Sequence, residues 1–221
     1  MVDSDILSRV DHTLLKMTAS WSEIKTLCDE AVLYKTASVC IPPSYVKPVF
    51  DEFGKSLVIC TVIGFPLGYT YTSVKVNETA LALENGAGEI DMVINAGDVK
   101  NGNYNLVLDE IKSIKQTCGK KILKVIIETC YLSEEEKIRL CGIVTGAGAD
   151  FIKTSTGFGS AGAAIDDVKL FKRHIGQQVK VKAAGGIKTR EDLESFIQAG
   201  ADRIGTSSAV KLLSGGTTAG Y

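Results

Sequence analysis

The stretch Thr145-Gly-Ala-Gly-Ala-Asp150-Phe-Ile-Lys153 carries a helix end, a glycine turn and an apolar strand within nine residues. Glycine ends a helix readily because it adopts the left-handed backbone conformation that closes the last turn. Two shorter versions of this phrase, Asn85-Gly-Ala-Gly88 and Gln198-Ala-Gly-Ala-Asp202, also come directly before apolar runs. The chain therefore repeats one connection, from a helix through a glycine turn into a strand.

Eight short apolar runs of this kind are predicted to be strands. They cover residues 10–14, 37–41, 57–63, 89–95, 122–128, 150–154, 179–184 and 202–205. Near-continuous apolar runs are typical of parallel strands that are buried on both faces. Helices are predicted between them at 22–34, 72–85, 103–117, 133–145 and 189–199, and the last two open with capping boxes.

The length of the chain agrees with an eightfold repeat. Its 221 residues allow about 28 for each strand–helix unit. The alternation runs without a linker and predicts an α/β protein, a single-domain (β/α)8 TIM barrel over residues 1–213, with a short flexible C-terminal tail at 214–221. The alternative is a doubly wound open sheet, which usually has a glycine-rich loop after strand 1. That loop reads Leu15-Lys-Met-Thr-Ala-Ser20, so the barrel is favoured.

Composition excludes several classes of protein. Apolar residues make up 45% of the chain, too many for a disordered protein. The 25 basic and 26 acidic side chains give a net charge of −1, which argues against a nucleic-acid partner. The longest apolar stretch, near residues 57–67, is interrupted by Thr61, Gly64 and Pro66 and is too short to span a membrane.

The six cysteines and two histidines do not form a metal-binding pattern. No two cysteines form a CxxC pair, so a cysteine zinc site is not expected, and we predict no metal and no cofactor. The N-terminal residues Met-Val-Asp-Ser-Asp lack the apolar core of a secretory signal. We therefore expect a cytoplasmic protein with reduced thiols.

Lysines occur where a buried strand should be apolar. Lys153 lies at the end of the sixth predicted strand, and Lys182 lies near the end of the seventh. Each could extend its ammonium group past the strand end into water. Two lysines on adjacent strands, flanked by Thr, Ser and Gly, instead favour a shared pocket in which burial and like charge lower a lysine pKa. A neutral amine attacks carbonyl carbon, so the pair suggests Schiff-base catalysis.

Asp91 is the acidic candidate in the same barrel. It lies in the fourth predicted strand, and Lys124 lies in the fifth. Strand alternation points both side chains inward. Asp91 is thus either a proton carrier or the partner of Lys124 in an ion pair, and the sequence leaves both interpretations open.

Glycine-containing loops after the seventh and eighth strands predict a phosphate site. In TIM barrels these loops present backbone N–H groups and a helix N-terminus to an anion. The sequences are Ala184-Gly-Gly-Ile-Lys-Thr189 and Ile204-Gly-Thr-Ser-Ser208. Turns need glycines for other reasons, so either loop alone is weak support. Together they indicate a phosphorylated small-molecule substrate.

The chain resembles the deoxyribose-phosphate aldolase family along nearly its whole length. The segments that carry the resemblance are Asp11-His-Thr13, Val39-Cys-Ile-Pro-Pro43, Glu89-Ile-Asp-Met-Val-Ile-Asn95, Lys124-Val-Ile-Ile-Glu-Thr129, Phe151-Ile-Lys-Thr-Ser-Thr-Gly-Phe158 and Val181-Lys-Ala-Ala-Gly-Gly-Ile187. The resemblance implies a class I aldolase of deoxyribonucleoside catabolism. Such an enzyme reversibly cleaves 2-deoxy-D-ribose 5-phosphate to D-glyceraldehyde 3-phosphate and acetaldehyde.

The resemblance also implies roles for individual residues. Lys153 matches the Schiff-base lysine, Lys182 the second lysine that favours its neutral amine and moves protons, and Asp91 the acid/base aspartate. The residues that match the substrate and phosphate site are Gly157, Gly185, Gly186, Lys188, Gly205, Ser207 and Ser208, with Asp11, Thr13 and Cys40 lining it. Tyr221 matches a terminal tyrosine that assists protonation of the enamine carbon. Alternatively, it is only a disordered chain end.

One position departs from the pattern of some family members, which carry a lysine directly after the Thr-Gly pair. Phe158 occupies it here, so phosphate binding is expected to depend more on backbone donors and Lys188. Two other functions stay open: a metal-independent TIM-barrel isomerase or synthase, and a non-catalytic binder, each for another sugar phosphate. The sequence does not determine the oligomeric state, and a homo-oligomer is compatible with it.

Overall fold

The computed structural model describes residues 1–214, and eight strands of this part form a ring. The strands are β1 (Val10–Thr13), β2 (Ser38–Ile41), β3 (Ile59–Ile63), β4 (Glu89–Val93), β5 (Ile122–Ile126), β6 (Phe151–Lys153), β7 (Lys180–Ala184) and β8 (Arg203–Thr206). Each strand pairs in parallel with the next, and β8 pairs with β1. The predicted TIM barrel is confirmed, and the open sheet is excluded.

Helices follow the strands along the chain and cover the outside of the barrel. Within the described residues they are α1 (Asp3–Leu7), α2 (Trp21–Tyr34), α3 (Val46–Phe53), α4 (Thr72–Glu84), α5 (Ala96–Lys100), α6 (Tyr104–Cys118), α7 (Glu134–Gly146), α8 (Ile165–His174), α9 (Arg190–Gln198) and α10 (Ala209–Leu213). The five helices predicted with bounds agree to within one residue at each end. Ser133 and Thr189 cap α7 and α9 as their sequences predicted.

Two of the helices that the sequence analysis does not predict nevertheless contain residues that are typical of helix ends. Helix α8 has Asp166 and Asp167 in its first turn and basic residues in its last, an arrangement that complements the helix dipole. Helix α3 contains Pro48 in its first turn, where the missing N–H would have no partner inside the helix. A proline that reads as a helix breaker therefore lies at a tolerated position.

The apolar core lies between the barrel and its helices. In β4, Ile90 and Met92 belong to this core, whereas Glu89 and Asp91 alternate with them and occupy the other face of the strand. A small apolar group, Cys40, Cys60 and Val62 with Leu15 and Phe65, forms a second cluster. Barrel interiors are usually filled by layers of branched apolar side chains. Here charged residues occupy much of that space.

Other sequence-based expectations have different outcomes. Each cysteine carries a free thiol, and five of the six are buried. Among residues 1–214, none of the helices has both the length and the apolar composition needed to cross a membrane. Tyr221 and most of the predicted tail lie outside the described residues, so their predicted roles stay predictions.

Candidate active site

A cluster of charged side chains fills the centre of the barrel. Its members are Asp11, Glu89, Asp91, Lys124, Lys153, Lys182 and Arg203. All are buried except Arg203, which is partly exposed. Buried charges require partners, and each of these side chains lies within ion-pair distance of at least one opposite charge.

Strand register brings the predicted catalytic residues together. Lys153 on β6 is the register partner of Lys182 on β7. Both ammonium groups donate to the same oxygen, Asp91 Oδ2, at 2.7 and 2.6 Å. The other oxygen, Asp91 Oδ1, accepts from Lys124 Nζ at 2.8 Å. The ion pair with Lys124 therefore coexists with the contacts to the two candidate catalytic lysines.

A second carboxylate, that of Asp11 on β1, contacts Lys182 and Arg203 in the same cluster. Lys182 Nζ lies 2.5 Å from Asp11 Oδ2, an ion pair outside hydrogen-bond alignment. Arg203 Nη1 donates to Asp11 Oδ1 at 2.5 Å. Arg203 also contacts Glu89 at 3.2 and 3.3 Å, and Glu89 lies 2.6 Å from Lys124 Nζ. The cluster is thus continuous across β1, β4, β5, β6, β7 and β8.

The electrostatics of Lys182 differ from the expectation that paired lysines lower each other's pKa. Burial by itself would lower the pKa of Lys182, but Asp11 and Asp91 outweigh it and hold the pKa above 10.5. Burial would likewise raise the pKa of Asp91, but Lys124, Lys153 and Lys182 hold it well below 3.8. The surrounding charges thus favour the ammonium form of Lys182 and the ionised form of Asp91.

The positive and negative charges of the cluster differ by one. There are three carboxylates, on Asp11, Glu89 and Asp91, and four basic groups, on Lys124, Lys153, Lys182 and Arg203. Removing one proton leaves three charges of each sign. Lys124 and Lys182 each contact two of these acids within 2.8 Å, whereas Lys153 contacts Asp91 and is slightly more exposed. Lys153 is thus the lysine of the cluster with the fewest carboxylate contacts.

Two cysteines lie against Asp91. Cys40 and Cys60 are register partners on β2 and β3, and Cys60 Sγ lies 3.2 Å from Asp91 Oδ1. The hydrogen bond with Cys60 lowers the pKa of the Cys40 thiol, while burial raises the pKa of Cys60. These two sulfurs and a carboxylate oxygen of Asp91 lie within 4.8 Å of one another and could hold a cation. Because that carboxylate already binds ammonium groups, we assign no metal to it.

A cavity of about 940 Å³ opens above Lys153, and the predicted phosphate residues line it. Those residues are Gly157, Gly185, Gly186, Lys188, Gly205, Ser207 and Ser208, together with Thr13. Gly185 and Gly186 adopt φ angles of +84° and +76°, which side chains rarely adopt. A Cβ at Gly205 would lie 3.1 Å from Lys182 Cε. Glycine at this position therefore lets the strand approach the second lysine.

The predicted site residues lie at different depths in the barrel. Asp11 and Cys40 lie in the buried layer beneath the cavity, and Thr13 donates its hydroxyl to the backbone oxygen of Asp11 at 2.7 Å. Phe158 lines the cavity and packs edge-on against Phe65, with ring centroids 5.3 Å apart. An apolar pair therefore forms this part of the cavity wall.

Sequence reasoning missed Glu89, Cys60 and Arg203 as members of the site. Glu89 and Arg203 are charged residues at the first positions of β4 and β8, strands that are otherwise largely apolar. The same signal, a charged residue within an apolar strand, identifies Asp91 and the lysines. The N-terminal ends of these strands supply the partners that keep the upper charges in place.

Known proteins similar to this chain are named as aldolases. A family model described as DeoC/LacD family aldolase matches residues 6–217. Deoxyribose-phosphate aldolase of Clostridium botulinum (strain Alaska E43 / Type E3) is 59% identical over 221 residues, 100% of both chains. The protein of the same name from Clostridioides difficile (strain 630) is 58% identical over 216 residues, 98% of this chain and 99% of the relative.

A solved structure extends this similarity to the fold. The deoxyribose phosphate aldolase of Aeropyrum pernix, described as tetrameric, superposes with a TM-score of 0.89. It is 34% identical, and the match covers 96% of this chain and 91% of that chain.

Proposed function

The chain belongs to the DeoC/LacD family of aldolases, and on that premise we propose that it is a class I aldolase that reversibly cleaves 2-deoxy-D-ribose 5-phosphate to D-glyceraldehyde 3-phosphate and acetaldehyde. The observation that carries the proposal is the sharing of Asp91 Oδ2 by Lys153 and Lys182, directly beneath a glycine-lined cavity. A nucleophile, a proton donor and a proton acceptor thus meet at one point.

Lys153 is the nucleophile in this proposal. Its neutral amine adds to the C1 aldehyde of the open-chain sugar to form a carbinolamine, which takes up one proton from solvent and loses water to leave an iminium ion. When Lys153 is neutral, the remaining cations and carboxylates of the cluster balance. The positive iminium then forms at the same place as the former ammonium group, beside Asp91, whose carboxylate stabilises it.

Cleavage requires a base for the C3 hydroxyl and an acid for the enamine. As the C2–C3 bond breaks, its electron pair forms the C1–C2 double bond, and the iminium nitrogen takes back the electron pair of the C=N bond, which gives a neutral enamine. The C3 hydroxyl loses its proton as C3 becomes the aldehyde carbon of D-glyceraldehyde 3-phosphate. A water held by Asp91 and the Lys182 ammonium group, which lie 2.6 Å apart, accepts this proton and passes it to solvent. Protonation of C2 and hydrolysis of the new imine release acetaldehyde and regenerate Lys153.

The phosphate group lies at the loops after β7 and β8. Backbone N–H groups near Gly185, Gly186 and Gly205, the hydroxyls of Ser207 and Ser208, and the Lys188 side chain offer donors there. Because Phe158 supplies no charge, the backbone donors carry more of the binding. The apolar Phe158–Phe65 pair covers the side of the cavity that faces the β3–α4 loop.

The chain end and the cellular setting complete the proposal. Tyr221, at the end of a tail over 214–221, assists protonation of the enamine carbon, as the resemblance implies. The protein works in the cytoplasm, where its free thiols stay reduced. Its partners are phosphorylated sugars and aldehydes, with no nucleic acid or membrane.

We further propose that the chain forms a homo-oligomer. A segment before and within α4 exposes four large apolar side chains, Leu67, Tyr69, Tyr71 and Val74, at 47–81% of their surface. Exposed apolar patches of this kind often mark protein interfaces. Light scattering of the purified protein tests this, and Y71E is expected to lower the measured mass if the patch is the interface. A monomeric mass for the unmodified chain rejects the assembly.

Trapping of the imine tests the enzymatic proposal. The protein is incubated with acetaldehyde, reduced with borohydride and weighed, with K153L as the test variant and K180L as the matched control on the exposed end of β7. We expect one ethyl adduct on the unmodified chain and on K180L, and none at residue 153 in K153L. An unmodified chain without an adduct rejects the aldolase in favour of an isomerase, synthase or binder.

A further inference from the structure

We infer that Glu128 is a positioning residue that holds the loop after β6 and, through it, fixes Lys153 against its substrate. The inference rests on the proposed function, but Glu128 takes no part in the chemistry described above. It lies just beyond the end of β5, next to the nucleophile's strand, and is 6% exposed.

The backbone at Glu128 has an unusual conformation. Its φ angle is +54°, in the left-handed region that residues other than glycine rarely adopt. Around it, Ile127 N donates to Lys153 O at 3.1 Å and Thr129 N donates to the next carbonyl, Thr154 O, at 3.0 Å. Two residues separated by Glu128 thus bind consecutive carbonyls, so Glu128 is the extra residue of a bulge. Bulges beside active sites redirect a side chain.

The redirected side chain binds the loop that follows Lys153. Thr156 N lies 3.2 Å from each carboxylate oxygen of Glu128, and the Thr156 hydroxyl donates a short hydrogen bond to Oε2. Thr156 Oγ1 in turn accepts from Phe158 N at 3.0 Å. One carboxylate therefore fixes Thr156 directly and Phe158 through it.

The loop encloses this carboxylate tightly. A Cβ at Gly159 would lie 3.1 Å from Glu128 Cδ and 2.9 Å from Cys130 Sγ, so a side chain there would displace one of them. Between Lys153 and Gly159, the residues Thr156, Gly157 and Phe158 all line the cavity. The loop that Glu128 fixes is therefore the wall of the substrate site nearest to the nucleophile.

Small displacements of this loop have large consequences for the reaction. A misplacement of about 1 Å at a reacting group costs on the order of 100-fold in rate. A strained backbone also persists at functional sites when surrounding contacts hold it. The Glu128 contacts serve this purpose because a carboxylate gives charge-assisted hydrogen bonds.

Three variants distinguish a role of Glu128 in positioning the loop after β6 from a role in the stability of the whole protein. E128Q keeps the size of the side chain but replaces one acceptor oxygen with a donor that opposes Thr156 N. E128G removes the carboxylate and relieves the positive φ. K35G relieves the same strain at the end of α2, where exposed Lys35 has a φ of +53° and no role in the site.

We expect E128Q and E128G to lower kcat/KM by about 100-fold and to slow the trapping of acetaldehyde on Lys153. K35G should keep the activity of the unmodified chain. The comparison is made per folded molecule, with the folded fraction measured by circular dichroism. E128G carries the test if E128Q does not fold, because it removes the strain that the missing contacts would leave.

Unchanged kcat/KM and trapping rate in E128G, with an adduct on the unmodified chain, overturn the inference and leave the proposed aldolase intact. A loss of activity that only follows the loss of folded protein also overturns it. An unmodified chain without an adduct instead rejects the proposed function.

Discussion

Replacing Asp91 with asparagine removes a negative charge that three lysines share. D91N keeps the volume of the side chain and one oxygen, but it removes the negative charge that Lys124, Lys153 and Lys182 contact at 2.6–2.8 Å and replaces the other oxygen with an NH2 group. Breaking a buried ion pair from one side is costly because the other charge stays buried without a partner. We therefore expect D91N to lower the free energy of unfolding.

The contacts that remain determine the size of this loss. Lys124 keeps Glu89 at 2.6 Å, and Lys182 keeps Asp11 at 2.5 Å. Lys153 loses the carboxylate at 2.7 Å and bears most of the cost. Removal of one partner from a buried pair typically costs about 3–5 kcal/mol, so we expect the lower end, about 3 kcal/mol.

The loss has a defined dependence on pH. Lys124, Lys153 and Lys182 outweigh burial and hold the pKa of Asp91 well below 3.8, so the stability that Asp91 contributes is present above that value. It is lost as pH falls through the lowered pKa of the folded state. The gap in stability between the unmodified chain and D91N should thus be full near neutral pH and narrow in acid.

Urea unfolding from neutral to acidic pH measures both effects, and D91N/K153M is the matched double variant. Because K153M removes the unpaired lysine, the double variant should recover most of the stability that D91N loses. A loss below about 1 kcal/mol in D91N at neutral pH would refute this reasoning, since buried charges without partners cost more. A gap that stays constant into acid would also refute it.

Three further predictions concern neighbouring positions. G205A brings a Cβ within 3.1 Å of Lys182 Cε and 3.0 Å of Ala184 Cβ. We therefore expect it to lower the free energy of unfolding in urea by about 1–3 kcal/mol and to lower kcat. Unchanged values of both would show that Lys182 has room to move. C40S should lengthen the half-life of the enzyme at high acetaldehyde concentration. The reason is that the hydrogen bond with Cys60 lowers the pKa of the Cys40 thiol and favours its reactive thiolate. Equal half-lives would show that Cys40 is not the residue through which acetaldehyde inactivates the enzyme. Y221F should slow exchange of acetaldehyde methyl protons with solvent by about 100-fold while the yield of the borohydride adduct stays the same; equal exchange rates would exclude Tyr221 as the acid.

The sequence predicted the upper part of the cluster because its signal is local. Lys153 and Lys182 stand out within short apolar runs, and a barrel topology then requires that adjacent strand ends meet. The expectation of a lowered pKa is wrong for Lys182 for the opposite reason. The pKa of Lys182 depends on Asp11, 171 positions earlier in the chain, and only ring closure reveals that contact.

The pattern of apolar residues also does not predict the backbone conformation at Glu128. Residues 122–128 form a largely apolar run, interrupted by Lys124, that ends in Glu128, so the sequence predicts a strand through it. The strand ends at Ile126 instead, because Glu128 adopts a left-handed conformation. A glutamate carries no preference for that conformation. It results from tertiary contacts with Thr156, which the run itself does not contain.

The pairing of β8 with β1 determines when during folding the chain acquires its chemistry. Arg203 and Asp11, which join the cluster across this seam, are 192 positions apart. Contacts of such long sequence separation form slowly, because a long loop must close first. A chain still emerging from the ribosome without its last strand therefore lacks the complete set of charges. The charges that surround Lys153 in the finished barrel are therefore complete only when nearly the whole polypeptide has been synthesised.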